Sequence, residues 1–177
     1  VIVPPMSGFE EEIFDVTPYS EMITNYILSN NDYIGLPRKY KIALSNKEEN
    51  AINVKVSDLG FLAKIKNGVK GFKVYGAGGL GASSKESIVL CDFVPHDEIL
   101  YHVEAMRNLF AEHGDRNNKA RARIRYIAQK LGEKEFIELY TGYLKKTYKL
   151  EDLKKAPNDK KYNYESGEKI KLINNLL

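Results

Sequence analysis

Two periodicities succeed one another along this chain. Residues 1–8 are apolar and carry Pro4 and Pro5, which reads as an extended opening segment. Asp15-Val16-Thr17-Pro18 then offers a helix start, with Thr17 as N-cap and Pro18 at the first helical position. Met22, Ile23, Tyr26 and Ile27 recur at helical spacing, and the Asn-rich run 29–32 ends that helix. From Leu36 the period shortens to two. Over 38–44, Tyr40, Ile42 and Leu44 fall on one face and Lys39, Lys41 and Ala43 on the other, which predicts a strand, and a second strand is expected over 52–56. Residues 61–66 and 71–75 flank Asn67-Gly68, the strongest short-range signal for a hairpin, and Gly76-Ala77-Gly78-Gly79-Leu80-Gly81 follows directly.

Beyond residue 95 the helical period returns. Pro95-His96-Asp97-Glu98 opens a helix whose stripe is Ile99, Val103, Met106 and Phe110, with Gly114 as its stop. A second helix is expected over 119–131 with Ile124, Ile127, Ala128 and Leu131 inward, and a third over 133–148 burying Phe136, Ile137, Tyr140 and Leu144. Strands first and helices after predict an α+β fold, an antiparallel sheet with flanking helices. One domain is expected over 1–150, with a polar, Lys-rich tail or linker over 151–177.

Composition narrows the class without naming it. The 177 residues are 43% hydrophobic and 29% charged, ordinary globular usage that excludes collagen-like and low-complexity chains. No apolar run approaches the ~20 residues of a membrane-spanning helix. Cys91 alone closes no intrachain disulfide and by itself holds neither zinc nor an iron–sulfur cluster. With no signal-peptide pattern, a reducing, cytoplasmic setting is expected. A net charge of +3 does not demand a nucleic-acid partner. The chain starts Val1-Ile2-Val3 without an initiator Met, and it is expected to be a piece of something longer.

Three constellations bear on chemistry. Two lysines on one strand face, Lys39 and Lys41, stand ~7 Å apart along the backbone and repel, which suits a small anion or a charged cofactor, or else a solvated face. Gly76-x-Gly78-x-x-Gly81 matches a dinucleotide fingerprint in spacing, but no helical stripe follows and the preceding strand belongs to a hairpin. The glycines then mean close approach to a flat ligand or another strand, or a flexible loop. Arg116, Lys119, Arg121, Arg123, Arg125 and Lys130 form a dense basic cluster in which Arg121 and Arg125, one helical turn apart, suit a single anionic group. A solvated helix face reads the same way, as does a non-catalytic module gripping nucleic acid or another polyanion. His96, His102 and His113 fit no metal-ligand spacing, and Cys91, ending the apolar run Ile88-Val89-Leu90, reads as a buried thiol.

In order along the chain stand Leu36-Pro37-Arg38-Lys39-Tyr40-Lys41, Asp58-Leu59-Gly60-Phe61, Gly71-Phe72-Lys73-Val74-Tyr75 running into Gly78-Gly79-Leu80-Gly81, Phe93-Val94-Pro95, Gly114-Asp115-Arg116, and Ala120-Arg121-Ala122-Arg123-Ile124-Arg125-Tyr126. Over roughly 1–136 this order resembles the sirohaem-dependent nitrite/sulfite reductases, whose sirohaem is coupled to a 4Fe–4S cluster. The resemblance implies six-electron reduction of sulfite to sulfide or of nitrite to ammonia, with a ferredoxin or a flavoprotein as electron donor and the rest of the same enzyme as partner. By the same resemblance Lys39 and Lys41 face the substrate and Arg38 belongs to their motif. Gly78 and Gly79 form the turn that approaches the macrocycle, and Arg123 pairs with a sirohaem carboxylate, with Asn118, Lys119 and Arg121 in the same basic segment. The family holds its cluster with cysteines spaced Cys-x5-Cys and Cys-x3-Cys, and none of these is present. Ala77 stands where many relatives have a glycine, and the chain is expected to be inactive by itself.

Overall fold

A computed structural model of the chain describes residues 1–8, 11–81, 84–150 and 152–157. The elements run α1 (Thr17–Leu28), β1 (Ile42–Ser45), α2 (Ile52–Lys55), β2 (Leu59–Lys66), β3 (Val69–Gly76), β4 (Ile88–Pro95), α3 (Ile99–His113), α4 (Ile124–Leu131) and α5 (Glu133–Leu150). Four strands lie in the order β1-β2-β3-β4 with the helices against them, so the α+β architecture holds.

Four local expectations are corrected. The sheet is mixed, because β1 pairs with β2 in parallel, Ile42 opposite Leu59 and Ser45 opposite Leu62, while the β2–β3 and β3–β4 pairs are antiparallel. A parallel pair needs an out-of-plane crossover of about a dozen residues. Residues 46–58 supply it, so Ile52–Lys55 form the short helix α2 rather than the second strand expected over 52–56. Val54 on α2 presses so closely on β2 that a Cβ at Gly60 would lie 2.5 Å from the Val54 carbonyl oxygen. The first strand starts at Ile42 rather than at residue 38, because Lys41 N–H donates to the Asp58 carboxylate (2.8 Å) instead of to a neighbouring strand. The fourth correction lies in the basic segment, where α4 begins only at Ile124. Residues 119–121 form a separate 3₁₀ turn capped by the Asn118 side chain, and Arg123 is extended (ψ 153°).

The hairpin forms as expected, with Asn67 and Gly68 both at positive φ (52° and 77°), the conformation a two-residue turn between twisted strands requires. Helix α3 runs through the core, its residues from Ile99 to Met106 all buried, and it packs against α5. On the sheet face beneath α1, rings meet edge to face in a chain: Phe61 with Phe72 (5.9 Å), Phe72 with Tyr19 (5.1 Å), and Phe14 with Phe72 (5.3 Å). A smaller cluster of Ala43, Ala51, Val54, Leu62 and Tyr75 sits beneath α2 on the other face. Residues 152–157 stay with the body: Leu153 is buried in the core, and Lys155 N–H bonds the Asp97 carbonyl. The rest of the expected tail, 158–177, lies outside the described residues. No described helix is long and apolar enough to cross a membrane.

Candidate functional site

Four segments far apart in sequence meet at one end of the sheet: 35–41 before β1, 56–58 before β2, 76–81 after β3, and 114–125 between α3 and α4. Polar contacts stitch them together. Arg116 donates to the Gly35 carbonyl (3.0 Å) and the Ala111 carbonyl (3.1 Å), and Arg38 donates to the Lys119 carbonyl. Pro37 packs so tightly on Gly114 that a Cβ there would stand 2.6 Å from its ring. Asp58, with no solvent exposure, accepts from Lys41 N–H, from Arg123 Nε (3.2 Å) and from Arg123 Nη2 (2.7 Å). Burial pushes its carboxyl above the usual carboxylate range, opposed by those donors and by the charge of Lys39.

The glycine turn is built from the inside. Ala77 N–H bonds the Asp58 carbonyl (3.0 Å) and Gly78 N–H the Ser57 carbonyl (2.9 Å). A Cβ at Gly78 would meet Ser87 Oγ at 2.2 Å, and one at Gly79 would meet Arg125 Nη1 at 2.7 Å. Both glycines are buried and are required by close approach to the chain's own atoms. Ala77 holds φ 62° with its methyl fully buried, a left-handed conformation that costs a side-chain residue about 1–2 kcal/mol. Ala77→Gly therefore exchanges relief of that strain for lost methyl burial and is expected within about 1 kcal/mol of wild type. Ala77→Val, β-branched and buried, should lose more than about 2 kcal/mol in urea unfolding.

Arg125 is the residue whose environment sequence spacing misplaces. It is 7% exposed and donates Nη1 to the Leu80 carbonyl (2.6 Å) and Nη2 to Tyr126 Oη (3.2 Å), while its guanidinium lies 4.9 Å from the Tyr126 ring. Its Nε is buried with no hydrogen-bond partner, and among the described residues no carboxylate forms an ion pair with it. It does not share a helix turn with Arg121, which is exposed on the 3₁₀ turn.

Of the residues singled out in the sequence, the fold brings Arg38 to Lys119, and Lys41 to Arg123 through Asp58. Lys39 is exposed, Lys41 half-buried, and neither stands in a strand. The Asn118 side chain accepts from Ala120 N–H (3.1 Å) and so serves as a cap. Asp58 and Arg125 carry most of the wiring. Their sequence signal is faint: an acid directly ahead of the apolar stretch Leu59–Ala63, and an arginine in the buried stripe Ile124–Ala128.

Comparison with known proteins bears on the same segments. The model of the nitrite and sulphite reductase 4Fe-4S domain matches residues 4–148. The chain belongs to that family. Relatives within it include the sulfite reductase [NADPH] hemoprotein beta-component of Acidithiobacillus ferrooxidans, 36% identical over 110 residues (58% of this chain, 20% of that protein). They also include the chloroplastic ferredoxin–nitrite reductase of Arabidopsis thaliana, 27% identical over 139 residues (75% of this chain, 24% of that protein). A third is sulfite reductase [ferredoxin] 1 of Mycolicibacterium paratuberculosis, 30% identical over 137 residues (76% and 24%). The fold matches the structure of the Mycobacterium tuberculosis NirA protein with a TM-score of 0.70 at 24% identity, covering 88% of this chain and 28% of that one. The chain thus spans a quarter or less of the curated relatives' length. The family's 4Fe–4S cluster finds no ligand set here, since the only cysteine, Cys91, is half-buried with Sγ on the Phe93 carbonyl (3.1 Å).

Proposed function

We propose that this chain is the part of a sirohaem-dependent nitrite/sulfite reductase that holds the tetrapyrrole's carboxylates and faces the reducible anion. The observation that carries the reading is Arg125: a buried guanidinium without a carboxylate partner among the described residues and with an orphaned Nε, directly beneath the glycine turn. An uncompensated buried charge is costly, and an anionic group at that turn would offset the cost. The exposed rim of Arg38, Lys119 and Arg121 adds the charge density that a ligand with eight carboxylates calls for. Sirohaem, when bound, supplies the iron at which sulfite or nitrite is reduced by six electrons. On this chain's side, Lys39 and Lys41 hold the anion by charge and donate protons from their ammonium groups as oxygen leaves as water. Gly78 and Gly79 let the turn close over Ser87 and Arg125, and Asn118 and Arg123 shape the segment that carries the rim. The cluster would be held by the rest of the enzyme, and electrons would come from a ferredoxin or a flavoprotein.

The test is made in a complete reductase carrying this segment. Lys39→Ala and Lys41→Ala should each retain the tetrapyrrole absorption and lower kcat/KM by about 100-fold or more, the usual worth of a placed acid. Arg125→Gln should instead purify with its tetrapyrrole depleted. Full turnover in both lysine variants would sink the assignment of the anion, and full tetrapyrrole content in Arg125→Gln would sink that of the carboxylate.

A further inference from the structure

Asp58 touches three of the four segments at the site. Its carboxylate takes Lys41 N–H and both Nε and Nη2 of Arg123, its own N–H and that of Leu59 donate to the Lys41 carbonyl (3.1 and 3.2 Å), and its carbonyl takes Ala77 N–H. The Lys41 peptide is therefore gripped on both sides by one residue. Arg123 is equally fixed: two of its donors form a fork on Asp58, with the pair 13% and 0% exposed. Its charge is matched inside the fold, in contrast to that of Arg125. A buried ion pair adds little net stability over an apolar pair of the same volume, so this one is better explained by the geometry it imposes.

We propose that Asp58 is a positioning residue for the anion-facing lysine segment, and that Arg123 acts through Asp58 rather than on the ligand. What the lysines face rests on the reading above; the clamp does not. Releasing Asp58 would free the Lys41 peptide and blur where its side chain points. Arg123 also passes the position of the basic segment to the lysine segment, so the two move as one unit.

Two measurements separate the clamp from the anion. In the unliganded 177-residue chain, Asp58→Asn should speed amide exchange at Lys41 about tenfold or more while amides within α5 keep their protection. Arg123→Gln should do the same more weakly, and Arg123→Lys should not restore protection, because one ammonium cannot span both carboxylate oxygens. In the complete reductase, Asp58→Asn should raise KM for sulfite or nitrite about tenfold, and adding it to Lys41→Gln should cost nothing further, since both act through one side chain. Should Asp58→Asn fail to fold, Arg123→Gln carries the same comparison. Unchanged Lys41 exchange, or effects on KM that multiply, would overturn the clamp. Normal KM and kcat in Lys41→Gln, with Lys41 exchange still faster in Asp58→Asn, would overturn the anion reading and leave the clamp standing.

Discussion

Replacing Glu104 by leucine should cost the chain about 3–5 kcal/mol, the usual loss when one partner of a buried charge pair is removed. Glu104 lies on α3 and is 1% exposed. Its Oε2 accepts from Tyr26 (3.0 Å) and Tyr33 (2.9 Å), and its Oε1 accepts from Arg107 and Asn108. The Arg107 guanidinium lies 5.7 Å from the Tyr33 ring, and its Nε is already buried without a partner, so losing the carboxylate leaves it worse off still. Burial and the neighbouring carboxylate hold the Tyr33 hydroxyl far above the usual phenol range, so it remains a donor that must find an acceptor. The consequence reaches the site. Tyr33 stacks on Tyr40 (6.5 Å, 12°), Tyr40 bonds the Val103 carbonyl, and Tyr40 stands between Lys39 and Lys41. Urea unfolding reads the loss, and faster amide exchange over 33–41 should accompany it. Asp32→Asn, which removes only the exposed partner of Arg107, should cost under about 1 kcal/mol. Equal effects of the two substitutions would mean that the hub holds nothing.

What was legible in the sequence, and what was not, follows from the range of the forces involved. The Asn67-Gly68 turn and the helix stop at Gly114 are local backbone chemistry, and both stand where the residues place them. The expected strand over 38–44 begins four residues late because a side chain from residue 58, not a neighbouring strand, takes the Lys41 amide, and no alternation of apolar residues encodes that. In 52–56 the crossover demanded by a parallel pair overrides a β-branched composition, so Val54 packs inward from a helix while Ile52 is 69% exposed. The basic segment divides because Asn118 caps a short turn and Arg123 turns inward to the buried Asp58. Its charge density falls in the segment that folds against Asp58 and the glycine turn, but helical spacing paired Arg121 with Arg125, one of which is exposed and the other buried. The glycine spacing left close approach and a flexible loop both open, and at Gly78 and Gly79 close approach to Ser87 and Arg125 is what it serves.

Acidification should destabilise this chain through His102. His102 is 2% exposed on α3 and shares its Nδ1 with Tyr140 Oη on α5 at 2.6 Å. Burial pulls its pKa down from 6.5 to about 4. The unfolded chain therefore binds a proton near pH 6.5 that the folded chain refuses. The stability tied to the neutral ring is complete above pH 6.5 and is lost as pH falls toward 4, about 2 kcal/mol by pH 5 and about 3 kcal/mol at the end of the window. Protonation would also turn Nδ1 into a donor facing a fully buried hydroxyl, which must then rotate its own proton elsewhere within the α3–α5 contact. Urea midpoints of the wild-type chain should drop steeply between pH 7 and 5, while those of His102→Gln, starting lower, should be flatter over the same range. His96 and His113, bonded to Tyr19 and Tyr143 at more open positions, are common to both proteins and cancel in the comparison. Parallel curves for the two would mean that the folded ring takes up its proton as readily as the unfolded one and is charged at pH 5. In that case Tyr140 Oη accepts rather than donates, and the α3–α5 contact is held by an imidazolium.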